Sequence, residues 1–504
     1  MKWALAWLSV VLIIALTCLQ IVDGPRSVEL AAQAVLVLAF ASLTIIDLRF
    51  GVAIALVELA VAGAGGQWTL FPGGIHGRIV LLGIITLRAT ATIVVRWIQD
   101  RELRLGRYGR HAAALAVVMP LVWMSLGIVN GNDPRDVFAD GDGQFFLAFS
   151  LALIVLMRDG HGKWIRNWVL IACAANALVT GLIILISAPG WVPLEPTLRQ
   201  ILADKLLVGN AIGYMPNGAY RLYLASGLYL QVGLALTTGA LVRDWRRVWA
   251  WALYALLWVD VLASYTRGFW IGSALAVAVV LVLGSGSRRA SGLIVAGTLA
   301  LALAGGAVGS VGGFSLVDYV FDRAASTLAG GGSIPGPTPQ PGQPLSASPV
   351  PGVDTAGELS NHVRVVQAQI LLGHIQERPL VGYGFGVIAS DYPYGTIFSY
   401  ELSYLDLWYK TGLIGVALFM SFPLRLLLDA FRGRFGRLRL PDGVDRLACA
   451  PIIAILASIL IVGATNPYIL SAFGLCPIIM CIAWLDPLAS PGPDPRVRQV
   501  ATWP

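Results

Sequence analysis

The sequence predicts an all-α polytopic membrane protein of about fourteen transmembrane helices, with a large periplasmic loop that carries an amphipathic surface helix. Of its 504 residues 57% are hydrophobic and only 12% charged, a balance too apolar for a water-soluble globule. Apolar runs long enough to cross a ~30 Å hydrocarbon core recur from end to end, which excludes a soluble domain on a single anchor. The distribution of Lys and Arg among the connections then sets the orientation.

The first run, 3–22, is too long for the apolar region of a secretory signal. No A-x-A-like cleavage site follows it, so it reads as a retained spanning helix. Six further runs, 30–46, 50–64, 79–97, 112–129, 145–157 and 168–186, precede the first long loop. Four more follow at 222–242, 248–264, 269–283 and 293–308, and the last three at 402–424, 447–462 and 469–484. This divides the chain into N-terminal helices with a long outer loop (1–221), central helices (222–308), a periplasmic loop (309–400), and C-terminal helices with a cytoplasmic tail (401–504). With both termini cytoplasmic, the inner connections hold 23 of the 35 Lys and Arg residues and the outer ones 11, while Arg88 lies mid-span. The net charge of +7 is thereby a topology signal and gives nucleic-acid binding no support.

Within the periplasmic loop, 329–352 is a Gly, Pro, Ser and Gln stretch without apolar periodicity, read as a disordered segment. After it, Ser360 is the expected N-cap of a helix that Pro379 ends near Glu377. Val363, Val366, Ile370 and Leu371 form its apolar stripe, which suits the outer membrane surface.

An ionisable side chain in a spanning helix costs about 2.5 to 3.5 kcal/mol, so such residues face a polar interior or a partner. Here they gather on the outer side. Arg221 begins a helix after the first long loop, Arg267 sits in a tight outer turn, and Arg364 lies in the first turn of the surface helix. Glu401, Asp406 and Lys410 follow at the outer end of the next span. A planar guanidinium binds two oxygens of a pyrophosphate at once, so converging arginines suit a pyrophosphate-linked lipid, although each alone could be an interfacial anchor. Glu401, between Phe398 and Leu402, is the candidate base for an acceptor hydroxyl. Asp406 and Lys410 are spaced to neutralise each other. For Arg88 a channel-lining role stands level with burial against Glu58 on the preceding helix. The turn with Asp133, Asp136, Asp140 and Asp142 lacks calcium-loop spacing and reads as solvated. The five cysteines sit in apolar runs, no disulfide framework is read, and the five histidines show no metal-ligand spacing.

Three stretches in order resemble the O-antigen ligase and polymerase family. Ser264-Tyr265-Thr266-Arg267-Gly268-Phe269-Trp270 is similar to its S-x-x-R-G/A-x-x turn. Arg364 to Gly386, with Arg378-Pro379-Leu380-Val381-Gly382-Tyr383-Gly384-Phe385-Gly386, looks like its R-x(n)-P-L-x-G-x-G-x-G block. Tyr404 to Gly415 resembles its H-N-x-Y-L-x-x-L-x-x-T-G-L-I-G helix start, with Glu401 and Leu402 in place of H-N. The resemblance implies a glycosyltransferase of the bacterial inner membrane with no metal or cofactor. Its donor would be an undecaprenyl (polyprenyl) pyrophosphate-linked glycan and its acceptor a glycan or lipid hydroxyl, joined with inversion in cell-surface polysaccharide synthesis. It places Arg267, Arg364 and Glu401 as catalytic, while Arg221, Arg88, Asp406, Lys410 and Tyr404 are read from the sequence itself as candidates for binding substrate. Ligase and polymerase both stay open, and a transporter or flippase of lipid-linked sugars is the rival from another class.

Overall fold

The computed structural model describes residues 26–61, 77–100, 105–187, 212–214, 220–222, 224–264, 266–284, 288–311, 356–393, 399–437, 440 and 446–486. The expected first span and the 329–352 segment lie outside them. The described residues are almost entirely helical, and seven helices or continuous helical runs among them are long and apolar enough to cross a membrane, with five shorter apolar helices beside them. The chain is thus a multi-pass membrane protein.

The N-terminal half contains α1 (Arg26–Ile46), α2 (Leu48–Val61), α3 (Gly77–Asp100), α4 (Gly106–Val129), α5 (Pro134–Gly141), α6 (Phe149–Arg158) and α7 (Gly162–Ser187). Apart from Arg49 and Glu58, helix α2 is apolar, and all its residues but Arg49 are buried, packed by α1, α3 and α7. The run expected at 145–157 begins earlier, because Asp133 caps α5 by accepting the N–H of Arg135 at 2.8 Å and Pro134 fills the first helical position, after which a 3-10 turn, Asp142–Ala148, joins α5 to α6. The Asp turn is therefore a helix and not a solvated loop.

Two three-residue strands, β1 (Ile212–Tyr214) and β2 (Tyr220–Leu222), pair antiparallel with Arg221 opposite Gly213. Arg221 therefore does not begin a helix. The next helix, α8 (Leu228–Arg243), starts later than the apolar run, and α9 (Val248–Ala263), α10 (Arg267–Gly284) and α11 (Arg288–Val311) follow. After α12 (Ala356–Glu377) come α13 (Ser403–Arg434), α14 (Cys449–Gly463), α15 (Ala472–Met480) and the single turn α16 (Ile482–Leu485).

Helices α10 and α14 pack closely against each other. Gly268, Gly272 and Ala276 recur once per turn along α10, and a Cβ at Gly272 would stand 2.6 Å from Val462 while one at Gly268 would stand 2.6 Å from Asn466. Small residues at this spacing let two helices approach where lipid supplies no hydrophobic drive.

Surface helix α12 starts four residues before Ser360, which lies inside it and not at its cap. The ridge it buries is Gln367, Leu371 and Ile375, laid on α13, whereas Val365 and Leu372 stay exposed. Helix α13 runs past its expected end to Arg434 and is interrupted at Gly412, whose φ of 64° and ψ of 179° are not helical. The segment Arg378 to Gly386 threads that gap. Leu413 and Ile414 donate their N–H groups to the carbonyls of Pro379 (2.9 Å) and Leu380 (3.1 Å), and Tyr383 and Gly384 donate back to Tyr409 (3.1 Å) and Lys410 (2.8 Å). Phe385 donates to the Trp123 carbonyl at 2.9 Å, and the Trp123 indole donates to the carbonyl of Val381 at 2.9 Å. Gly384, at φ 87°, rests against the backbone of Gly127, so the motif's middle glycine is demanded by both conformation and space.

Gly384→Ala should therefore cost at least ~1–2 kcal/mol from the left-handed backbone alone, with the clash on Gly127 added. Gly373→Ala, in open space on α12, should be neutral or stabilising by up to ~1 kcal/mol. Thermal melts of the two purified variants in lipid check this pair, and equal melting temperatures would refute it.

Candidate active site

The turn between α9 and α10 is built by its own side chains. Ser264 Oγ donates to the Val261 carbonyl at 2.7 Å and accepts the N–H of Thr266 at 3.3 Å, Thr266 Oγ1 donates to the Ser264 carbonyl at 3.0 Å, and the Trp270 indole closes the turn on Val261 at 2.8 Å. Arg267 is thereby fixed as the first residue of α10.

Arg364, on α12, reaches across to Glu401 with Nη2 2.8 Å from Oε2. One turn along α12, the buried Gln367 accepts the N–H of Leu402 at 3.3 Å, so helix and connecting segment are pinned at adjacent points. Tyr400, next to Glu401, accepts the N–H of Ala389 at 2.8 Å, and burial pushes its phenol up to about 12, so it stays neutral there. Asn466 joins the two halves of the site. Its backbone carbonyl accepts Ser403 Oγ at 2.5 Å at the start of α13, and its side chain lies against Gly268, the neighbour of Arg267. Phe269 stacks on Tyr468 in the same turn, with ring centroids 5.8 Å apart. Gly268 and Phe269, which follow Arg267, and Ser403, two residues after Glu401, thus meet at one short turn, 464–471, and Arg364 joins them through Glu401.

Other expectations fare differently. Lys410 does pair with Asp406 at 2.8 Å, but it also binds Asp140 at 2.7 Å, and all three side chains are buried. The second oxygen of Asp140 accepts the N–H of Gly386 at 2.8 Å, which ties the glycine block to the ion pair. The group thus joins α5, the glycine block and α13. Tyr404 donates its hydroxyl to the Leu460 carbonyl at 2.5 Å, a link between α13 and α14. Arg88 does not meet Glu58. It donates to the Ile45 carbonyl at 3.3 Å and to Thr92, while Glu58 is held by Arg78 at 3.0 Å. Helix α3 begins at Gly77, so Arg78 and not Arg88 is at the level of Glu58. Arg221 lies on β2.

Sequence reasoning missed Asp140, Gln367, Asn466 and Arg78. Only Asp140 had a readable sign, since Asp133-Pro134 is a helix-start signature that would have put a short helix where a solvated turn was expected. Among the described residues no three His, Cys, Asp or Glu side chains form a group that could hold a metal ion.

Residues 252–420 match the family model for O-antigen ligase, a stretch that includes Arg267, Arg364, Glu401 and Lys410. No curated protein matches the chain. The match takes in 169 of the 504 residues and marks a likeness to the O-antigen ligase family.

Lys410→Met would leave Asp140 and Asp406 buried without their cation, and breaking such a group costs about 3–5 kcal/mol. A marked drop in the melting temperature of the purified variant is expected, largely restored when Asp140→Asn and Asp406→Asn are added. An unchanged melt for the single variant would show that the triad does not hold the fold.

Proposed function

We propose that the chain is a metal-independent glycosyltransferase that crosses the bacterial inner membrane about fourteen times, with both termini in the cytoplasm. It takes a glycan from undecaprenyl pyrophosphate at the periplasmic face and joins it to a hydroxyl of a glycan or lipid acceptor, in the synthesis of surface polysaccharide. The observation that carries this reading is the 2.8 Å approach of Arg364 to Glu401 beside the turn that also holds Arg267, all inside the stretch that matches O-antigen ligase.

The chemistry follows from the charges. The bond between the anomeric carbon and the pyrophosphate oxygen breaks, and the pyrophosphate lipid leaves with the electron pair. Arg267 and Arg364 stabilise the charge that develops on it, with Arg221 as a third cation on the donor's approach. The acceptor oxygen forms the new bond to that carbon, and its proton passes to the carboxylate of Glu401 and then to solvent. Pyrophosphate competes with Glu401 for the Arg364 guanidinium, so donor binding releases the carboxylate for the acceptor hydroxyl. Base and leaving-group clamp are in this way armed by the same event. Glutamate where the family pattern has histidine keeps a proton acceptor at that point.

Turnover of a polyprenyl pyrophosphate glycan by the purified protein in lipid tests the reading. Arg267→Ala and Arg364→Ala should each lower kcat by at least ~10²-fold, the scale of losing one donor to a developing oxyanion. Glu401→Gln should abolish transfer, and EDTA should leave the parent unaffected. Full activity in both arginine variants would sink the clamp and bring the transporter reading forward.

A further inference from the structure

At the end of the bundle away from the candidate site, α4 and α13 share a ladder of polar side chains that none of the steps above uses. Ser421, Arg425 and Asp429 recur every fourth residue on α13, and Arg107, Tyr108 and His111 meet them from the first turns of α4. The two flanking rungs close on themselves. His111 Nε2 lies 2.8 Å from Ser421 Oγ, and because that hydroxyl donates to the Leu418 carbonyl at 2.6 Å, the ring nitrogen is the donor. The Tyr108 hydroxyl donates to Asp429 at 2.9 Å and accepts from Arg107 at 2.7 Å, while Asp429 also binds Arg432 at 3.0 Å.

The middle rung is open. Arg425 stands over the Tyr108 ring, 5.8 Å from its centroid, and has no carboxylate partner among the described residues. The Arg107 guanidinium lies 4.6 Å from the same centroid, and its Nε is buried without an acceptor among those residues. Two guanidiniums on one ring repel each other, and Asp429 is shared between Arg107 at 3.6 Å and Arg432. Asp486, the other carboxylate close to Tyr108, ends α16, whose Ala483 carbonyl accepts Arg166 at 3.0 Å. With that pair included, four guanidiniums meet two carboxylates.

The excess belongs to this seam and not to the whole basic end of the bundle. Arg49 is paired with Asp47, Arg96 with Asp159 at 2.8 Å, and Arg434 donates to the Leu283 carbonyl at 2.5 Å. An unneutralised guanidinium within a spanning helix is costly, and an anion between Arg107 and Arg425 removes both that cost and their repulsion. The neighbouring surface sets the kind of anion. Toward the middle of the membrane the same two helices expose Val117 and Leu121 on α4, and Leu418 and Leu424 on α13. Charge at the end of an apolar strip suits an amphiphile, with its phosphate at the arginines and its acyl chain on the strip.

We infer that the seam between α4 and α13 binds the phosphate of an anionic phospholipid through Arg107 and Arg425. Such a lipid bridges the two helices that hold the glycine segment at their other end, where Phe385 donates to the Trp123 carbonyl and Gly384 to that of Lys410.

The full chain in detergent, titrated with phosphatidylglycerol or phosphatidylcholine and read by native mass spectrometry, tests the site. The parent should bind phosphatidylglycerol at least ~10-fold more tightly, the scale of two basic side chains at a lipid surface. Arg425→Gln strands no carboxylate and should remove that preference. Arg246→Gln, exposed in the connection between α8 and α9, should keep it. Equal binding of the two lipids by the parent would overturn the inference without any variant. An unchanged preference in Arg425→Gln would also overturn it, and equal losses in both variants would reduce it to the general attraction of a basic face. Inorganic phosphate that competes with phosphatidylglycerol as effectively as the lipid itself would make the ligand a free anion and overturn the lipid assignment.

Discussion

The buried ammonium of Lys410 organises the rest of the site. It sits in a helix facing no water, between Asp140 from α5 and Asp406 from its own helix, and a cation placed there is tolerable only with both partners present. Through Asp140 the same charge reaches Gly386, and through the backbone carbonyl of Lys410 it reaches Gly384. One ion pair therefore ties the glycine segment, α5 and the start of α13 to one another. Glu401 precedes α13, and Arg364 is pinned to it across α12, so the position of the candidate site follows from this charge.

Much of the architecture was legible because lipid imposes a simple demand. A spanning helix must be apolar for most of its length, so runs of Leu, Val, Ala and Ile mark helices whatever they pack against. That is why thirteen of the expected runs coincide with helical segments while the remaining one lies outside the described residues. The boundaries were less legible. Pro134 and Ser360 mark where local chemistry shifted an end, and Arg221 shows a pairing between strands that no apolar pattern announces.

The site was legible only where a motif named it. Arg267, Arg364 and Glu401 were readable from charge at the outer ends of the spans and from short patterns in order, and the structure pairs Arg364 with Glu401. Their supports did not appear, because partners such as Asp140 and Lys410 are 270 residues apart and nothing local to either predicts the other. The exchange of Arg88 for Arg78 at Glu58 has the same origin, since a shift in where α3 begins relative to α2 decides which arginine is level with the carboxylate. Hydropathy reports that a charge in a span needs company, and only packing says whose.

The threading of Arg378 to Gly386 through the break at Gly412 has a mechanical consequence. Four backbone hydrogen bonds cross the gap in both directions, so the end of α12 and the upper part of α13 behave as one rigid lever carrying Arg364 and Glu401 together. Toward α10 and α14 this unit is joined by the Ser403 hydroxyl on the Asn466 carbonyl, by the Tyr404 hydroxyl on the Leu460 carbonyl, and by the Asn466 side chain against Gly268.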